Sequence, residues 1–166
     1  MRAAPGLWRI LPALALWLAA AGRPAAAPAQ QPEVLELDAG GIPVLLERVP
    51  NGVVAAQVFI RGGAANLTPQ NAGIERLLFE AAERGTEKYP KDLFHARLAG
   101  TGTTVSGNAG YDYSTFAMRT VRESWDEAWD LFTQALLKPA LPPNEVVLAR
   151  EQLLNAVRQR RDNPDA

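Results

Sequence analysis

The sequence predicts an α+β fold: a mixed, mainly antiparallel sheet with helices packed on one face. Two observations carry this. Short β-branched and aromatic runs bounded by Gly, Pro and Asn occur in two groups. After each group come stretches whose apolar residues recur with helical spacing. The order is three strands, two helices, two strands and two helices. With 166 residues the chain holds one domain, or one domain and a tail.

The N-terminal segment stands apart from this fold. Residues 1–29 read as a Sec-type signal peptide: Arg2 and Arg9 precede an apolar run from Ile10 to Ala21, and Ala27-Pro28-Ala29 fits a small-x-small cleavage site before Gln30. The alternative is an uncleaved anchor, which the short run and Pro12 disfavour. The domain proper is then 30–166, exported to the periplasm or secreted. Cleavage removes three of the 17 basic residues and none of the 18 acidic ones, so the remainder is net negative. No basic patch with interleaved aromatics is present, which argues against nucleic acid as a partner. After signal cleavage no membrane association is expected. There is no cysteine, so neither a disulfide nor a thiolate metal site can form.

Val34 to Leu37 alternates as a strand, Asp38-Ala39-Gly40-Gly41 turns the chain, and Ile42 to Val49 returns. Pro50-Asn51-Gly52 leads into Val53 to Arg61, the strongest strand, which Gly62-Gly63 ends. Ile74, Leu77, Leu78, Ala81 and Ala82 then share one helical face, with Gly85 placed to stop the helix. Pro90 opens a shorter helix to Leu98, ended by Gly100. Thr103 to Ala109 and Asp112 to Val121 read as strands about a tight turn at Gly110-Tyr111. Glu123 to Leu137 is helical, with Trp125, Ala128, Trp129, Phe132, Ala135 and Leu136 on one side. After Pro139, Pro142 and Pro143, Asn144 is placed to cap a last helix to about Arg161, which Asn163-Pro164 would end. The abrupt end at Asp165-Ala166 suggests a fragment, incomplete at its C-terminal end.

The stretch from Asn71-Ala72-Gly73-Ile74 to Gly85-Thr86-Glu87-Lys88-Tyr89-Pro90 resembles a block of the pitrilysin/insulinase family of metallopeptidases. There, an N-A-G-aliphatic start leads into a helix bearing the inverted zinc motif H-x-x-E-H, and a G-T-x-x-x-P segment closes it. Gly107-Asn108-Ala109 with Tyr111, Ser114 and Thr115, the Trp125–Leu137 helix, Lys138-Pro139, and the helix from Asn144 to Arg161-Asp162-Asn163-Pro164 are similar, in the same order, to the family's later blocks. The resemblance implies an N-terminal metallohydrolase domain of the mitochondrial processing peptidase type.

The motif itself is degenerate. Arg76 falls at the first histidine, Phe79 at the glutamate that would take a proton from metal-bound water, and Glu80 at the second histidine. The later glutamate ligand falls near Ala156, flanked by Asn155 and Val157. His95 is the only histidine in the 166 residues, so they cannot build a two-histidine site, and His95 itself reads as structural or surface-exposed. Glu75, Glu80 and Glu83 read as a solvated acidic helix face with Arg76 and Arg84 as ion-pair partners, in preference to an oxygen-ligand metal site. Ser106, Ser114 and Ser124 lack a nucleophile-elbow setting. No G-K-[ST] follows Gly62-Gly63 or Gly100-Thr101-Gly102, so neither is a phosphate loop. Asp112, Asp126, Asp130 and Asp162 read as ordinary turn or helix-surface acids.

The expected function is that of an exported, non-catalytic peptidase homologue with no catalytic or metal-ligating residues of its own. It would pair with an active subunit that carries the zinc. The edge strand that accepts peptide in active members corresponds here to Thr104, Val105, Ser106, Gly107, Asn108 and Ala109, whose alternative reading is a strand interior to the sheet. Two further alternatives are a structural assembly subunit without proteolytic role, and a metallopeptidase whose site lies in further sequence.

Overall fold

The computed structural model describes residues 33–162. The expected signal peptide and the expected helix stop at Asn163-Pro164 lie outside the described residues. Two compact units divide between Val49 and Pro50.

The described residues of the first unit form a hairpin. β1 (Val34–Asp38) pairs antiparallel with β2 (Pro43–Glu47), placing Leu35 opposite Leu46 and Leu37 opposite Val44. The Asp38 carboxylate accepts the Gly41 N–H at 3.0 Å and so closes the turn between them.

The second unit is built on a three-stranded sheet of β3 (Val53–Arg61), β4 (Thr104–Ala109) and β5 (Tyr113–Val121), in the order β3-β5-β4. Every strand pairing among the described residues is antiparallel. Three residues join β4 to β5, too few for a parallel crossover. Side-chain alternation separates the two faces. Ser114, Phe116, Met118 and Thr120 of β5 are buried, while on the other face Tyr113, Arg119 and Val121 are exposed, Ala117 is half-buried and Thr115 is covered.

Four helices complete the unit: α1 (Ile74–Ala82), α2 (Lys91–Gly100), α3 (Trp125–Leu137) and α4 (Pro143–Asp162). α3 supplies half of the core, with Ala128, Leu131, Phe132 and Ala135 buried against Phe116 and Met118 of the sheet, Phe94 of α2 and Phe79 of α1. The aromatic rings form a continuous file. Phe79 stacks on Phe116 at 5.8 Å and Phe116 on Phe132 at 5.4 Å; Trp129 and then Trp125 extend it to the surface. Each fully buried ring removes enough apolar area to favour folding by about 1.5–3 kcal/mol.

Two sequence expectations need correction. The inward stripe of α1 is Glu75, Phe79, Ala82 and Glu83 with Ala81, whereas Ile74 and Leu78 are exposed. The helix is rolled because Phe79 gains both burial and a stacking partner, while Glu75 accepts a 2.6 Å hydrogen bond from buried Ser114. Asn144 is not a cap: α4 begins at Pro143, and the Pro142 carbonyl accepts the N–H groups of both Glu145 and Val146. A proline at the first helical position has no N–H to leave unsatisfied.

Candidate functional site

The site is organised around α1. Its entry is the Asn71-Ala72-Gly73 segment. The Asn71 side-chain oxygen accepts the Thr68 N–H at 2.6 Å and its carbonyl accepts the Ile74 N–H. Gly73 takes a left-handed φ of 86° to swing the chain into the helix. The exit is equally specific. Gly85 has φ 119°, and a Cβ there would sit 2.8 Å from the Lys91 nitrogen. Thr86 is buried and exchanges two hydrogen bonds with Tyr89, through its N–H at 2.8 Å and its hydroxyl oxygen at 2.9 Å. Asp130 of α3 accepts from Lys88 at 2.6 Å and from the Tyr89 hydroxyl, clamping this closing segment to α3. Asp130 is therefore not an ordinary surface acid.

Along α1, Arg76 and Glu80 lie one turn apart and form an ion pair of 2.7 Å. Phe79, three residues beyond Arg76, points under the sheet onto Phe116. α4 crosses alongside. Arg84 donates to the Glu80 carbonyl at 3.2 Å and reaches Glu145 at 3.1 Å and Gln152, and Lys91 reaches the same Glu145 at 2.8 Å. These two cations hold the Glu145 carboxyl below its usual range, Lys91 contributing most. Helical spacing puts Ala156 on the stripe of Glu145, Ala149 and Gln152. Arg84 thus serves the α1–α4 junction, and among the described residues it pairs with neither Glu80 nor Glu83 through their carboxylates.

The residues at the motif positions do not fit zinc. Arg76 is a fixed cation, Phe79 and Ala156 offer no donor atom, and the Glu80 carboxylate is engaged by a guanidinium. His95 lies on α2, exposed, with its ring edge-on to Phe94.

β4 lies at one edge of the three-stranded sheet. Its backbone groups alternate. Arg122 N–H bonds the Gly52 carbonyl just beyond the β3–β5 ladder, which sets the even-numbered residues of β5 toward β3 and the odd-numbered ones toward β4. Thr104, Ser106 and Asn108 therefore bond β5, and the backbone groups of Val105, Gly107 and Ala109 face the free edge. The Gly107 N–H on that edge donates to the Glu83 carboxylate at 2.8 Å. Glu83 is half-buried, and burial is the largest influence raising its carboxyl above the usual range. It is thus not part of a solvated acidic face. Gly107 must be glycine because a Cβ there would overlap the Phe79 ring. The Glu83–Gly107 bond has no local sequence signal. The one available hint was a glycine inside a strand, which marks close approach by another group.

The order of elements and the helix with its two closing segments define a peptidase-type α+β domain. Residues 43–166 match the family Insulinase (Peptidase family M16), and the chain belongs to that family. Among solved structures it is similar to a protease from Helicobacter pylori, with TM-score 0.70 and 19% identity, over 80% of this chain and 32% of that one. It is likewise similar to a peptidase M16 inactive domain from Pseudomonas fluorescens, with TM-score 0.68 and 17% identity, over 80% of this chain and 33% of that one. The chain spans about a third of the length of these structures. No curated protein matches it.

Proposed function

We propose that this chain is an exported, non-catalytic member of the insulinase family that pairs with an active, zinc-bearing subunit and helps to enclose and dock peptide substrates. The observation that carries the reading is the Arg76–Glu80 ion pair, with Phe79 turned into the core between them in sequence. A cation, a ring and an engaged acid stand where two imidazoles and a free carboxylate are needed. That a similar solved structure is described as an inactive domain is in keeping with this. The leader at residues 1–29 supports export.

Docking would use the free edge of β4. An extended peptide added there gains main-chain hydrogen bonds from Val105, Gly107 and Ala109. The outward side chains Thr104, Ser106 and Asn108 are small and polar, which suits a partner of varied sequence.

The test is reconstitution. The chain is co-expressed with a family member carrying an intact H-x-x-E-H motif. Peptide cleavage is expected only from the co-purified pair and is expected to be lost on chelation. Cleavage by the isolated chain, abolished by a chelator, would overturn the reading.

A further inference from the structure

Resting on that docking reading, we propose that Glu83 is the selectivity gate of the β4 edge, favouring extended peptides with a lysine or arginine beside the Gly107 step and disfavouring acidic ones. The geometry is direct. A strand that pairs with β4 needs the Gly107 N–H, and the Glu83 carboxylate already holds it at 2.8 Å. Docking must therefore displace this carboxylate from the edge. Once displaced, it needs a new donor, because among the described residues it forms no ion pair. Arg76 is taken by Glu80, and Arg84 by Glu145 and Gln152. Glu80 repels the carboxylate, while Arg76 and Arg84 attract it only from within pairs of their own. A peptide ammonium or guanidinium supplies a charge-assisted hydrogen bond, an apolar side chain such as alanine supplies no donor, and an acidic one adds repulsion.

The experiment uses the complete protein and three fluorescein-labelled ten-residue peptides. These share one Thr/Val host and differ only in a central Lys, Ala or Glu; binding is read by fluorescence polarisation. The wild type is expected to bind the Lys peptide about tenfold more tightly than the Glu peptide, the scale of one charge-assisted hydrogen bond at a partly exposed site. Glu83→Gln keeps an acceptor for Gly107 but no charge, and should bring the three peptides together. Glu83→Ala also frees the N–H and should tighten the Ala peptide. An unchanged peptide ranking in both variants would overturn the gate. Ala109→Pro removes a different free-edge N–H and leaves the β4–β5 ladder intact. Its loss of binding to all three peptides would establish the edge independently of the gate. Binding that survives Ala109→Pro would instead remove the docking edge itself, and the gate with it. Thermal melting of each variant confirms that the fold is retained.

Discussion

Gly107 and Phe79 depend on each other where α1 packs beneath β4. The ring fills the space a side chain at 107 would need. Gly107→Ala is expected to destabilise the domain by about 1–3 kcal/mol through overpacking, read as a lower urea midpoint with unchanged slope. Glu80→Ala is expected to behave differently. Its ion pair with Arg76 is largely solvent-exposed, so stability should change by no more than about 0.5 kcal/mol. The activity of the reconstituted pair should stay within a few-fold. A loss of several orders of magnitude would mean that Glu80 engages the reaction. The Arg76–Glu80 contact was legible in the sequence because it is an i, i+4 pair of opposite charge. The Glu83–Gly107 contact was not, since its partners are 24 residues apart and one of them is a backbone N–H.

At the level of elements, β3 was readable to both ends, because β-branched residues run between glycine-bearing turns at 51–52 and 62–63. α1 was readable as a helix but not in its rotation. Periodicity alone favoured Ile74, Leu77 and Leu78 as the inward face. Stacking of Phe79 on Phe116 and the Glu75–Ser114 bond decide otherwise, and both are tertiary. Asp130 likewise shows its role only once α3 lies beside the Lys88-Tyr89 segment. The Lys88 hydrogen bond, and then that of Tyr89, hold the Asp130 carboxyl below its ordinary range. A folded-state value below the unfolded one means that this contribution is complete above the ordinary carboxylate range and is lost as pH falls through and below it. Asp130→Asn should therefore lower the melting temperature at neutral pH and narrow its difference from wild type on acidification. Glu83 has the opposite sign. Its raised value makes the charged form costly to the fold, and that cost fades as pH falls. Glu83→Gln should raise the melting temperature at neutral pH, with the gain vanishing in acid.

For the whole molecule, the ordered blocks from Asn71 to Asp162 made the family readable, because entry turn, closing segment and later helices are each fixed by backbone needs that leave their mark in the sequence. The hairpin was readable from its turn at 38–41, but its separation from the larger unit was not, since membership of a sheet is set by pairing and not by local pattern. The most direct measurement is the zinc content of the purified protein after dialysis against a metal-buffered solution, taken together with its cleavage of a quenched fluorescent peptide, alone and then with an H-x-x-E-H-bearing partner. Arg76, Phe79 and Glu80 predict no stoichiometric zinc and no cleavage alone, with chelator-sensitive cleavage in the pair. One equivalent of zinc with cleavage by the protein alone would contradict a non-catalytic subunit.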